Sequence, residues 1–180
     1  MTIKKFLPVA LMIAVSAALY VIIASYFKFS ALWAPFISWP LYFLAGAKPS
    51  RLHKEVIGLS GGVLAGYLVL QVVGPISSVV GATLGLPVTV LITAFIIVML
   101  ELTDWFELAP AYFFAFAGYF AYLFGKFAGE ATAFQAMFPF WGLLMIGLAM
   151  GYLTAFMRKK ILEKQGVYGA AQNTVFDKEK

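Results

Sequence analysis

The sequence predicts an all-α polytopic membrane protein with six transmembrane helices and both termini cytoplasmic. Three observations predict it. Of 180 residues, 63% are hydrophobic and 12% charged, against roughly 45–50% and about 25% in soluble domains. The apolar residues fall in runs close to the roughly 20 residues a membrane helix needs, which allows at most about seven spans in a chain of this length. The basic residues gather in loops that an even number of crossings puts on one side. With a mean hydropathy of +0.92, too little polar surface remains to cover a soluble globule. An ordinary soluble enzyme, a disordered chain and a fibrous repeat are excluded.

The first run, Phe6 to Phe27, follows Lys4 and Lys5 and opens like a signal peptide. A cleavable signal has an apolar core of roughly 7–15 residues. This run continues unbroken through Leu19-Tyr20-Val21-Ile22-Ile23, so it reads as an uncleaved first span. The second run, Trp33 to Ala47, is short and carries Pro35 and Pro40, as a kinked span or a re-entrant half-helix would. The third runs from Val56 to about Val73 and ends at Gly74-Pro75, and a less regular stretch, Ile76 to Gly85, follows. The fourth begins at Leu86-Pro87 and ends near Glu101-Leu102-Thr103. The fifth begins at Ala109-Pro110 and ends at Gly125. The sixth spans about Ala136 to Met157 and stops at Arg158-Lys159-Lys160, leaving a loose polar tail. Proline suits a helix start, where its missing N–H has no partner to lose.

Charge decides between the two readings of the second run. Six crossings from a cytoplasmic N-terminus put Lys4, Lys5, Lys48, Arg51, Lys54, Arg158, Lys159, Lys160, Lys164, Lys178 and Lys180 inside, and leave only Lys28 and Lys126 outside. That agrees with the excess of Lys and Arg in cytoplasmic loops. A re-entrant second run would flip every later loop. The expected organisation is one transmembrane domain, 1–157, and a polar cytoplasmic tail, 158–180.

Two halves of the chain resemble each other. Leu7-Pro8-Val9 resembles Leu86-Pro87-Val88, Ala34-Pro35 matches Ala109-Pro110, Tyr42-Phe43 matches Tyr119-Phe120, and Gly66-Tyr67-Leu68 matches Gly151-Tyr152-Leu153. The anchors keep their order. Repeats at 6–73 and 86–157 would each hold three spans, and an odd number inverts the second. Inverted repeats recur in transporters, with the path near mid-membrane.

The residue inventory narrows the chemistry. There is no Cys, so disulfides, zinc–thiolate sites and thiol catalysis are excluded, and the one His, His53, lies in a charged loop. No phosphate-binding glycine loop, HExxH pair or catalytic carboxylate pair occurs. No catalytic residue, metal or cofactor is expected. Gly58, Gly62 and Gly66, and then Gly147 and Gly151, are spaced by four and suit close helix packing. The candidate pathway residues are Trp33, Phe36, Trp39 and Tyr42 in the second span, and Phe116, Tyr119 and Phe120 in the fifth. The polar candidates are Gln71, Thr89, Thr93 and Glu101. Aromatic faces can stabilise small cations. No Asp, Lys, Arg or His sits at mid-membrane, where coupled transport ordinarily places an ionisable group. Glu101, Asp104 and Glu107 form an acidic patch that could pair with Arg51 or His53. The loop from Lys48 to Glu55 most simply sets topology and meets anionic lipid heads.

Trp33-x-x-Phe36-x-x-Trp39-x-x-Tyr42-Phe43-x-x-Gly46 resembles the start of the "domain of unknown function 1097" family of bacterial inner-membrane proteins. The glycine-rich third span, Pro110 with its Phe/Ala/Gly-rich helix, and Gly147-x-x-x-Gly151-Tyr152 are similar too. The resemblance covers about residues 7–157. The loop between the third and fourth spans and the basic tail are longer here. The resemblance implies a multi-pass protein of the bacterial inner (cytoplasmic) membrane, and carries over no catalytic residue.

The expectation is a non-enzymatic channel or facilitator for a small neutral or weakly cationic solute, of urea, amide or ammonium type. Its partners would be membrane lipid, the solute and further copies of itself in a homo-oligomer, with no nucleic acid. The alternatives are an ion-coupled secondary transporter and a non-transport scaffold or assembly subunit.

Overall fold

The computed structural model describes residues 3–166, and among them there are helices and turns but no strand. The helices are α1 (Ile3–Tyr26), α2 (Pro35–Leu44), α3 (Leu52–Val80), α4 (Ala82–Met99), α5 (Ala109–Phe124) and α6 (Ala133–Lys164). Single 3₁₀ turns, Pro49–Arg51 and Leu100–Leu102, precede α3 and follow α4. Four of the helical segments, those of α1, α3, α4 and α6, are long and apolar enough to cross a membrane. With 16 and 10 residues, α5 and α2 rise about 24 and 15 Å, short of the roughly 30 Å of a hydrocarbon core.

Several boundaries depart from the sequence reading; α4 starts at Ala82, four residues before Leu86-Pro87, so the stretch Ile76 to Gly85 is helical on both sides of Gly81. The third helix does not end at Gly74-Pro75; it continues to Val80 and breaks only at Gly81, whose φ is +89°. In an apolar setting the helix is the cheapest way to keep backbone groups bonded, and nearby hydroxyls reinforce it. Ser77 Oγ donates to the Val73 carbonyl at 2.7 Å and Ser78 Oγ to that of Pro75 at 2.6 Å. The sixth helix likewise runs past Arg158-Lys159-Lys160 to Lys164, with Leu162 buried. Lys178 and Lys180, assigned to the tail, lie outside the described residues.

The chain forms two compact units. The first holds α1, α2 and the part of α6 from Met145 onward. Glycine brings α2 and α6 together there. A Cβ on Gly147 would collide with the Pro35 carbonyl and Ser38 Oγ, and one on Gly151 would stand 2.7 Å from Tyr42 Cβ and 2.9 Å from the Trp39 carbonyl. Contacts rise together along both helices, so α2 and this part of α6 run in the same direction. Trp39 Nε1 donates to Thr154 Oγ1 at 2.8 Å across the buried pair. Only Val9, Tyr20 and Ala24 of α1 are buried; Tyr20 donates to the Leu32 carbonyl at 3.0 Å and meets Phe36 edge-on. Most other apolar side chains of α1, among them Leu7, Leu11, Leu19 and Ile22, are exposed.

The second unit runs from His53 to Leu144. Here α3 supplies the glycines. A Cβ on Gly58 would lie 2.5 Å from Ala111 Cβ, one on Gly62 2.8 Å from Ala115 Cβ, and one on Gly66 2.7 Å from the Tyr119 ring. Again the contacts rise together, so α3 and α5 are parallel. The part of α6 in this unit is antiparallel to α3: Phe134 packs on Tyr67, and Trp141 Nε1 donates to Ser60 Oγ at 2.9 Å. At the start of α3, Lys54 Nζ donates to Asp104 Oδ1 at 2.8 Å and to Glu107 Oε1 at 2.9 Å. The acidic patch is thus held by Lys54, while His53 meets the Trp105 ring edge-on at 5.3 Å.

Candidate functional site

A groove of about 440 Å³ runs along α3 and α4 in the second unit. Gly61, Ala65 and Val69 form one wall, Thr93 and Ile97 the other, and Tyr112 of α5 contributes to its lining. Tyr112 arrives there because Gly61 has no side chain: a Cβ at that position would stand 2.9 Å from the Tyr112 ring carbon Cδ1. Tyr112 packs with Ile97 and Ala109 in the buried core, against Ile57 and Leu100.

Thr93 interrupts this apolar lining with a hydroxyl, and Tyr112 lines it while its own hydroxyl is buried from solvent. Tyr112 is only 3% exposed, and its hydroxyl has no hydrogen-bond partner. A buried hydroxyl left unpaired costs about 1–3 kcal/mol. Thr93 Oγ1 donates to the Thr89 carbonyl at 2.9 Å, which leaves its lone pairs as acceptors. The groove therefore offers the Thr93 hydroxyl as an acceptor on apolar walls, with no ionisable carboxylate or amine in its lining. That set suits a small molecule carrying an N–H.

The other candidates fall in several places. Trp39 and Tyr42 are buried in the first unit, Phe36 stacks on Trp39 at 5.7 Å, and Trp33 is half-buried just before α2. Phe116 and Phe120 meet edge-on at 4.8 Å in the second unit, and Tyr119 donates a short hydrogen bond to the Ala133 carbonyl. Thr89 is buried and bonded to the Gly85 carbonyl at 2.7 Å, one turn before Thr93. Gln71 and Glu101 lie on exposed faces. Of the polar candidates, Thr93 is in the groove lining.

Two residues outside that set stand out. Tyr112 reads in sequence as one ring among many in an aromatic helix; the available signal is the extra glycine, Gly61, beside the four-residue stripe. Glu55 reads as part of a solvated charged loop, yet its side chain is fully buried in the first turn of α3. A carboxylate there complements the positive end of the helix dipole. Among the described residues, no cluster of three or more metal-ligating side chains occurs.

No curated protein and no solved structure matches the chain. Residues 10–159 match the family model described as a protein of unknown function, DUF1097, and the chain belongs to that family.

Proposed function

We propose that this protein is a membrane facilitator for a small neutral or weakly cationic solute with amide-like hydrogen bonding. The observation that carries the reading is the Thr93 hydroxyl in the lining of an otherwise apolar groove that no carboxylate or amine lines. Urea, acetamide and ammonium-type solutes are the class that fits. The groove opens along α3 and α4, and α4 turns Leu91, Phe95 and Val98 outward. A second copy packed on that face would close the groove into a path, so the working form is a homo-oligomer.

We read six crossings, with both ends cytoplasmic, in the bacterial inner membrane. Helix direction supports this. Because α2 runs with the end of α6, the Lys48 loop lies beside Arg158 and Lys159, in keeping with the basic residues gathered on one face by six crossings. The paired glycine contacts support two inverted three-helix repeats. Gly66 meets Tyr119 in one unit and Gly151 meets Tyr42 in the other, and the sequence repeat equates Gly66 with Gly151 and Tyr42 with Tyr119. Each unit then combines helices from both repeats. Inverted repeats are a common plan for solute paths.

Proteoliposomes containing the protein should take up urea, acetamide or methylammonium faster than empty vesicles. Thr93→Val should remove most of that gain while leaving the helices folded. Uptake equal to that of empty vesicles for all three solutes would end this reading.

An ion-coupled transporter is the second reading, favoured by the buried Glu55 carboxylate. Glu55 stands in the first turn of α3, where a buried carboxylate can receive a cation entering from that end of the helices. Under this reading uptake follows an imposed proton or sodium gradient, and Glu55→Gln abolishes that dependence.

A further inference from the structure

We propose that the first unit carries a binding site for the headgroup of an anionic phospholipid, at the end of α6 that bears Arg158. The site is a cavity of about 370 Å³ bounded by the loop after α2 and the last turns of α6. Lys48, Arg158 and Lys159 line it, and no Asp or Glu does. Lys159 reaches Glu163 only at 3.9 Å, and Arg158 is half-buried. Three cations around one cavity, without a lining carboxylate, call for an anion. Arginine and lysine together suit phosphate, since guanidinium binds its oxygens through paired N–H groups.

The rest of the lining selects a lipid over a soluble anion. Tyr42 is buried and meets Tyr152 edge-on at 6.0 Å, and Phe156 adds a further ring. These surfaces sit where the apolar stretch of α6 gives way to Arg158-Lys159-Lys160, the level at which lipid phosphates lie. A free phosphate ester gains nothing from them, whereas a diacylglycerol backbone does. Basic pockets at the cytoplasmic ends of helices are established homes for such headgroups.

The backbone is shaped to present Lys48. Gly46 and Ala47 both take positive φ, +100° and +52°, and the Ala47 N–H closes the turn on the Tyr42 carbonyl at 2.9 Å. Alanine rarely adopts that conformation, and strain of this kind is kept where the surroundings require it. The turn redirects the chain so that Lys48 joins Arg158 at the cavity. The site is independent of the solute reading, since it lies in the other unit and needs no flux.

The test uses the full-length protein in neutral detergent, titrated with phosphatidylglycerol or phosphatidylcholine and read by native mass spectrometry and thermal unfolding. Phosphatidylglycerol should bind at least about tenfold tighter than phosphatidylcholine and stabilise the protein. The double variant Lys48→Gln/Arg158→Gln should lose that preference, with its helicity and its unfolding in phosphatidylcholine unchanged. Lys4→Gln/Lys5→Gln removes the same charge elsewhere and should retain it. Arg158→Lys keeps the charge and should retain most of it. Equal losses in the two double variants would reduce the effect to general surface charge and overturn the site. Equal binding of the two lipids would do the same. Displacement of phosphatidylglycerol by soluble glycerol phosphate at equal concentration would assign the cavity to a free phosphate ester and overturn the lipid source.

Discussion

Substituting Gly62 by alanine tests whether close backbone approach holds the second unit together. A Cβ at Gly62 meets the Tyr112 carbonyl oxygen, the Tyr112 carbonyl carbon at 2.9 Å and Ala115 Cβ at 2.8 Å. Two of these three atoms are backbone and cannot rotate away, so α3 and α5 must separate. Overpacking of this kind costs about 1–3 kcal/mol. Alanine recovers about 1 kcal/mol over glycine through helix propensity, which leaves a net loss of up to about 2 kcal/mol. Gly142 supplies the control. It lies in α6, also within the second unit, and a Cβ there meets nothing within 4 Å. Gly142→Ala should therefore gain up to about 1 kcal/mol. Reversible unfolding in mixed micelles, followed by loss of helicity, should separate the two variants by roughly 1–3 kcal/mol. Equal stability of Gly62→Ala and Gly142→Ala would refute the packing argument.

Other expectations follow from the same geometry. Trp39→Phe and Thr154→Val should each destabilise the protein, and their double-mutant cycle should return a coupling of about 0.6–1.7 kcal/mol, as for interhelical hydrogen bonds in membranes; a coupling near zero would deny that the bond matters. Tyr112→Phe should be neutral or slightly stabilising, because it deletes a buried hydroxyl that has no partner; a marked loss of stability would point instead to a partner for that oxygen. Lys54→Met should cost about 1 kcal/mol or less at low salt and less still at high salt, since Asp104 is mostly exposed; an effect unchanged by salt would contradict a screened ion pair. The chain has no cysteine, so single cysteines at positions 48, 104 and 159 can be labelled without background; all three should react from one side of the membrane, and one at position 28 from the other.

Much of the helical order was legible because apolar runs and Gly-Pro punctuation are local signals. The start of α5 at Ala109-Pro110 and its end beside Gly125 are examples. The same signals misled at Gly74-Pro75. That pair breaks a helix in water, where exposed amides can bond to solvent, but α3 continues through it to Val80 and breaks at Gly81. The groove was less legible because its decisive contact is tertiary. Gly61 stands outside the four-residue stripe, and only the approach of α5 explains why a side chain is missing there. Glu55 was hidden by its neighbours: a carboxylate between Lys54 and an apolar helix looks solvated until burial is known. Lys54 shows a related limit. Sequence identifies an acidic patch, yet that Lys54 reaches both Asp104 and Glu107 depends on helix phase, which a run containing Arg51, His53 and Lys54 does not display.

The pairing of α2 with α6 has a consequence for biosynthesis. A ten-residue helix has little tendency to remain in lipid alone, and its glycine-bearing partner lies more than a hundred residues downstream. At about 5–20 residues per second of translation, α2 waits roughly 5–20 s for Gly147 and Gly151 to emerge. During that interval the Trp39 indole and the carbonyls that will face α6 need a temporary shelter. The insertion machinery, or a chaperone at its exit, is the natural place for it. A ribosome stalled before Gly147 would leave a half-built unit exposed to quality-control proteases.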